Sequence, residues 1–232
     1  MKKVGLIIFA AAIIFGVVVA NMFSFGRITT RIFNFSFNSG VQGSGVTVTE
    51  KRAIDGFTGI DAGGIFQVEI VAQKDFSVEV EADDNIAPLV KTYVSDGVLK
   101  IERERSFNSH NPVRVRVSAP TIESIEASGV CKVAAADLKS RNLSINTGGA
   151  SKVNLSGETA GLTVDVSGAS SVNAENLRAE SATVDASGAS SVSVFTTGRL
   201  RADASGASKI SYAGNPATVE KKSSGASKVT QR

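Results

Sequence analysis

Apolar and polar residues alternate along much of this chain. GIFQVEIVA (64–72), FSVEVEA (76–82), VLKIERE (98–104) and VRVRVSA (113–119) each place an apolar side chain at nearly every second position, the period of a half-buried β-strand. Within DNIAPLVKTYVSDG (84–97) the pattern changes. Ile86, Leu89, Val90 and Tyr93 recur at helical spacing, which predicts a short helix with Pro88 in its first turn. Asp96-Gly97 predicts a tight turn into the next strand. SFNSHNP (106–112) reads as a polar loop. It holds the one histidine, His110, with no second His or Cys beside it to build a metal or catalytic pair.

From residue 119 the alternation acquires a second, longer period. SGVCKV (128–133), GGASKV (148–153), SGASSV (167–172 and 187–192), SGASKI (205–210) and SGASKV (224–229) are variants of one phrase. Their glycines, Gly129, Gly149, Gly168, Gly188, Gly206 and Gly225, lie 18 to 20 residues apart. That period suits a β-solenoid coil and is too short for helix-pair repeats. Stacked on these glycines, the rows align in columns. Four residues before the glycine stand Ile125, Ile145, Val164, Val184 and Ala202, and four after it stand Val133, Val153, Val172, Val192, Ile210 and Val229. The odd columns are polar. Three before are Asp165, Asp185 and Asp203; three after are Lys132, Lys152, Lys209 and Lys228. Alternation within rows combined with alignment between rows predicts parallel strands stacked in register.

The same parity puts the glycine column and the column two residues on (Cys131, Ser151, Ser170, Ser190, Ser208, Ser227) inside the coil. The phrase then reads as a corner too narrow for anything but Gly and small side chains, with Ser hydroxyls bonded along their column. Gly168→Val would overpack such a corner. The competing reading makes Gly-Ala-Ser an exposed turn. The variable segments ADLKSRN, SGETAG, AENLRAESA, FTTGRL and AGNPAT read as return turns. Two long strands and a shorter third side per turn give a triangular parallel β-helix. The last row, with Lys221 and Ser223 at apolar positions, reads as a polar cap over the terminal edge.

The first residues carry a different signal. Lys2 and Lys3 precede an unbroken apolar run, Val4 to Ala20. As a helix it spans roughly 25 Å, just short of a hydrocarbon core. Its length favours an uncleaved signal anchor over a cleaved signal peptide, for which Val18 and Ala20 are weak cleavage-site residues. It contains no cysteine, which excludes a lipoprotein anchor. Either way the residues after about 30 are expected to be exported, to a cell-envelope location. Phe33, Phe35 and Phe37 alternate with polar residues, as a strand covering one end of the domain or as a juxtamembrane linker. The expected organisation is a signal anchor or signal peptide (1–26), a linker (27–45), a first β-rich part (46–118) and the repeats (119–232).

Composition narrows the chemistry. With 25 basic and 22 acidic residues alternating in sign, the net charge of +3 gives no basic stripe for nucleic acid. Trp is absent, and 11 of the 12 Phe lie before position 108, so the repeats build their core from small and medium side chains. The single cysteine, Cys131, makes no internal disulfide and reads as a small buried hydrophobe. The repeat aspartates lie too far apart in sequence for a calcium loop, and the many serines have no base beside them, so neither a metal, a cofactor nor a catalytic group is expected.

GSGVTVTEKRAIDGFTGIDAGGIFQVEI (43–70), VRVSAPTIESIEASGVCKV (115–133) and the recurring SGAS phrases together resemble the head GIN domain family, described as auto-transporter adhesins. The resemblance runs from about residue 43 to 230. It implies a right-handed parallel β-helix, with an N-terminal β-rich capping block, in a bacterial cell-envelope protein, and it transfers no catalytic residues. On that basis the chain is expected to be a non-enzymatic surface-interaction module, with a glycan or an envelope or surface protein as partner and the membrane held through the N-terminal segment. The candidate polymer-binding ladders are Asp165, Asp185 and Asp203 on one face and Lys132, Lys152, Lys209 and Lys228 across the corner. Two alternatives remain open. One is a carbohydrate-active enzyme using carboxylates one rung apart, such as Asp165 and Asp185, though only Phe195 and Tyr212 are aromatic among the repeats. The other is a self-assembling envelope element joined through exposed strand ends.

Overall fold

The computed structural model describes residues 40–232. The apolar run at 4–20 and the Phe33–Phe37 segment lie outside the described residues, and with them the expected anchor helix. Among the described residues no helix is long and apolar enough to cross a membrane.

The described residues contain seventeen strands. They are β1 (Val41–Gln42), β2 (Thr47–Arg52), β3 (Gly59–Gly64), β4 (Gln67–Ala72), β5 (Ser77–Asp83), β6 (Val90–Ser95), β7 (Val98–Arg103), β8 (Phe107–Asn108), β9 (Arg114–Ala119) and β10 (Ser124–Gly129), followed by β11 (Lys132–Thr147), β12 (Lys152–Val166), β13 (Ser171–Ala186), β14 (Ser191–Ala204), β15 (Lys209–Ala213), β16 (Thr218–Ser223) and β17 (Lys228–Gln231). The fold is an all-β solenoid of about five turns. From β10 onward the strands pair in parallel with their counterparts one turn later, in the register the columns predict: Ile145 beside Val164, Asp165 beside Asp185, Val153 beside Val172. Inward Val, Ile, Leu and Ala fill the interior, among them Val133, Leu143, Val164, Val184, Leu200 and Ile210.

AGNPAT leaves the ladder between Ala213 and Thr218, as a turn should, but the other four return segments are not turns. Hydrogen-bonded pairing continues through them, so Leu138–Ser140, Gly157–Thr159 and Leu177–Ala179 form a short third side of stacked strand. Their unequal lengths are absorbed as register shifts at Ala135/Leu138, Asn154/Ser156 and Ala174/Arg178. These residues are polar because one face of this side meets solvent, not because the backbone leaves the ladder.

The repeat also extends further toward the N-terminus than its phrase reveals. β3 pairs in parallel with β10, placing Ile60 beside Ile125 and Gly64 beside Gly129, and β4 pairs with the start of β11. Below that rung lies another, β7 under β3 and β9 under β4. The chain therefore builds its second rung first, makes the first rung with β7 and β9, and then climbs. The strands outside that first rung are antiparallel: β6 on β7, β5 on β9 and β2 on β5. The link from β5 to β6 passes from one face to the other and closes the end of the coil with buried Ile86, Ala87, Leu89 and Val90. Here the expected helix is reduced to one 3-10 turn, Ala87–Leu89, with Pro88 in its first turn. Val90–Ser95 is a strand instead, because pairing with β7 through the Asp96-Gly97 hairpin outweighs the helical spacing. Both turn residues have positive φ, at 52° and 73°, as a type I′ turn requires.

At the opposite end β16 is exposed along its whole length. Lys221 lies over the ring of buried Tyr212, 4.6 Å from its centroid, and Gln231 meets the Tyr212 hydroxyl. The polar last row covers the interior with one aromatic ring and a cation.

The glycine column does not point inward. Gly129, Gly149, Gly168, Gly188, Gly206 and Gly225 are all exposed. They have φ between 70° and 82°, a left-handed conformation that side chains other than Gly resist. Each also stacks on the glycine of the rung below: a Cβ on Gly168 would lie 2.4 Å from the carbonyl oxygen of Gly149. The column two residues on is buried as expected, at Cys131, Ser151, Ser170, Ser190 and Ser208. Its bonds run to neighbouring backbone rather than from hydroxyl to hydroxyl: Ser151 N–H donates to Ser170 Oγ at 3.2 Å, and Ser208 Oγ donates to Ala186 O at 3.0 Å.

Two carboxylates anchor the N-terminal strands. Glu81 on β5 accepts hydrogen bonds from Arg116 at 2.8 Å and Arg114 at 2.7 Å, and these hold its pKa below the ordinary value. Asp83 accepts from Ser109 at 2.6 Å and from Asn111 at 2.8 Å, clasping the 109–111 loop to the strand, and these bonds lower its pKa too.

Two outcomes follow. Gly168→Ala should destabilise the fold by about 1–3 kcal/mol, lowering the thermal midpoint by several degrees, while Ala169→Ser on the same exposed corner should leave it nearly unchanged. An overpacked interior would instead tolerate Ala and reject only larger residues. The second outcome concerns acid. Glu81 and Asp83 titrate below their ordinary values of 4.5 and 3.8, so the stability they supply is complete at neutral pH. It is lost as pH falls below those values and through the folded-state ones. Thermal melts should therefore show a shallower acid decline for Asp83→Asn than for the unaltered chain.

Candidate functional site

The solenoid turns the sequence columns into ladders. Asp165, Asp185 and Asp203 are successive register partners. They lie one strand spacing apart, ~4.8 Å, with Asp165 and Asp185 exposed and Asp203 half-buried. The full ladder on this face runs Lys100, Asp61, Glu126, Asn146, Asp165, Asp185, Asp203, Lys222. Its N-terminal end is neutralised by the Lys100–Asp61 ion pair at 2.7 Å, which also raises the Lys100 pKa. The three repeat aspartates make no ion pair among the described residues. They present three adjacent negative charges on an open face.

The lysine column lies across the corner and is interrupted. Lys132 pairs with Lys152, and Lys209 with Lys228, but Ser171 and Ser191 separate the two couples. All four lysines are exposed. The corner itself carries the exposed residues Ile65 and Val130 beside the alanines of the SGAS phrases.

Chemistry of a hydrolytic kind needs two carboxylates in contrasting surroundings. Asp165 and Asp185 instead share one exposed setting. His110 is exposed in the loop between β8 and β9. Cys131 is buried beneath the corner, where its thiol lies 3.4 Å from Ala62 O and 3.3 Å from Ser128 O. Burial pushes that thiol's pKa upward, away from a reactive thiolate. No group of three or more His, Cys, Asp or Glu suited to a metal ion occurs among the described residues.

Residues 56–216 match the family described as "Putative auto-transporter adhesin, head GIN domain". The chain belongs to the head GIN domain family. Solved structures with this architecture include a protein from Bacteroides fragilis described as a "putative adhesin", at 22% identity and TM-score 0.68, covering 83% of this chain and 100% of that one. A protein from Parabacteroides merdae with the same description has 19% identity and TM-score 0.51, covering 83% of this chain and 99% of that one. A protein from Parabacteroides distasonis, described as lipid-binding, has 18% identity and TM-score 0.53 with the same coverage. At these identities the likeness is one of fold. No curated protein matches the chain.

The third side was not recognised in the sequence as a surface. Its ladder of Lys139, Glu158, Arg178 and Phe195 places alternating charges one rung apart. Lys139 and Glu158 form an ion pair at 3.1 Å, and the Arg178 guanidinium lies 5.8 Å from the centre of the Phe195 ring. The spacing of charges within the variable segments holds this signal, but only once their register is known.

For Cys131 the expected outcome is slow reaction with a thiol reagent in the native head GIN domain and rapid reaction once it is denatured. Fast native labelling would contradict the buried position.

Proposed function

We propose that this head GIN domain protein is an exported, non-enzymatic surface module that adheres through its outward ladders, held at the cell envelope by its N-terminal apolar segment. Membership of a family described as adhesins supports the surface role. The observation that carries the reading is the rigid register itself. Hydrogen-bonded strands fix outward side chains at constant spacing across successive turns, a geometry suited to a repetitive polymer rather than to one small molecule. Lys2 and Lys3 ahead of the apolar run support export and retention. The coils are taken as right-handed, the sense that parallel β crossovers adopt in nearly all cases. The exposed, similar settings of Asp165, Asp185 and Asp203 support binding over catalysis.

The test is adherence of the full-length chain to surfaces coated with glycans or matrix proteins, beside an Asp165/Asp185/Asp203→Ala variant. Saturable adherence to one polymer supports the reading, and its loss in the variant assigns the acidic ladder. Absence of adherence to every surface would overturn it.

A further inference from the structure

The third side contains a groove that the acidic and basic columns do not line. Two depressions, of about 310 Å³ and 490 Å³, adjoin at Ala160 and Glu180. Together they run across the rungs from β11 to β16. Small residues, Ala160, Gly161 and Gly198, lie along it. At Gly198 the backbone approaches closely: a Cβ there would lie 2.7 Å from the Glu180 carbonyl oxygen.

Charge complementarity indicates what fits. Glu158 already holds Lys139. Arg178, Glu180 and Arg199 have no ion pair among the described residues, although all three line the groove and all three are exposed. Arg178 is held over Phe195, and Arg199 stands on the next rung as the register partner of Ser181. Two guanidiniums match carboxylates through paired N–H donors. Between them, Glu180 accepts hydrogen bonds from hydroxyl groups, the Thr197 hydroxyl both donates and accepts, and the Ser181 hydroxyl, which donates to Ala160 O at 3.1 Å, can still accept. A ligand with carboxylates and many hydroxyls satisfies all of these groups together. A protein partner would want apolar or aromatic pockets, which Ala160, Gly161 and Gly198 do not offer.

We infer that the groove between Arg178 and Arg199 binds an acidic polysaccharide, its carboxylates on the two guanidiniums and its hydroxyls on Glu180. The inference rests on the surface-adhesion reading and adds a site on the third side to the outward ladders. Binding of the full-length chain to polygalacturonate should be measured beside neutral dextran and a poly-glutamate peptide, with adherence to coated surfaces followed in parallel. The expected result is preference for polygalacturonate and at least tenfold weaker binding in Arg178→Ala/Arg199→Ala. Arg178→Lys/Arg199→Lys keeps the charge but loses the fork and should fall between. Equal binding by the Arg178→Ala/Arg199→Ala variant with an unchanged thermal midpoint, or preference for poly-glutamate or dextran, would overturn the groove assignment while adherence itself stands. Failure to bind any probe or surface would overturn both.

Discussion

The whole architecture depends on one close approach, repeated up the corner. At each turn the glycine takes a left-handed conformation, and the amide after it donates to the carbonyl of the glycine below: Ala150 N to Gly129 O, Ala169 N to Gly149 O and Ala189 N to Gly168 O, each at 2.8 Å. A side chain on any of these glycines would occupy the place of that carbonyl. The corner hydrogen bond and the absence of a Cβ are therefore the same requirement. It fixes the distance between rungs at the tightest point of the coil, and the two long faces inherit that register. The column of outward aspartates and the column of inward valines are aligned because the corner aligns them.

The sequence pattern exposed this arrangement unevenly. Columns such as Ile145, Val164 and Val184 were legible because burial on one face imposes strict alternation, and alternation survives in any row that stacks. The glycine's direction was misread because parity holds only in extended backbone. A left-handed residue turns the chain, so Ser167, Gly168 and Ala169 all face solvent before Ser170 points inward. The earliest repeat rung was hidden for two reasons. Phe66 stands where later rows have Cys or Ser, and strands β5 to β9 separate Gly64 from its neighbour Gly129. The segment at 84–97 has real helical spacing, but pairing of Val90–Ser95 with β7 decides its structure.

The surface chemistry was legible in proportion to its regularity. Asp165, Asp185 and Asp203 repeat at a fixed offset, so they stood out as a ladder and form one. Arg178, Glu180 and Arg199 do not repeat. They line adjoining depressions because return segments of unequal length are fitted together by register shifts. Sequence order contains no direct record of such shifts. The most repetitive columns thus describe the frame, and the irregular segments create the only difference between one turn and the next on that side.

The order in which the rungs are built has a consequence for how the chain acquires its structure. β9 lies between β4 and β5, and β7 lies between β3 and β6. The first two rungs therefore cannot close until residues near 119 are available, and their contacts span long loops that are entropically costly to close. Every later rung adds about one repeat onto an edge already in place, a local step that nearest-neighbour stacking rewards at once. The long loop closures are thus concentrated in the closed N-terminal end, and the rungs from there to the exposed edge at β16 and β17 are joined by local contacts.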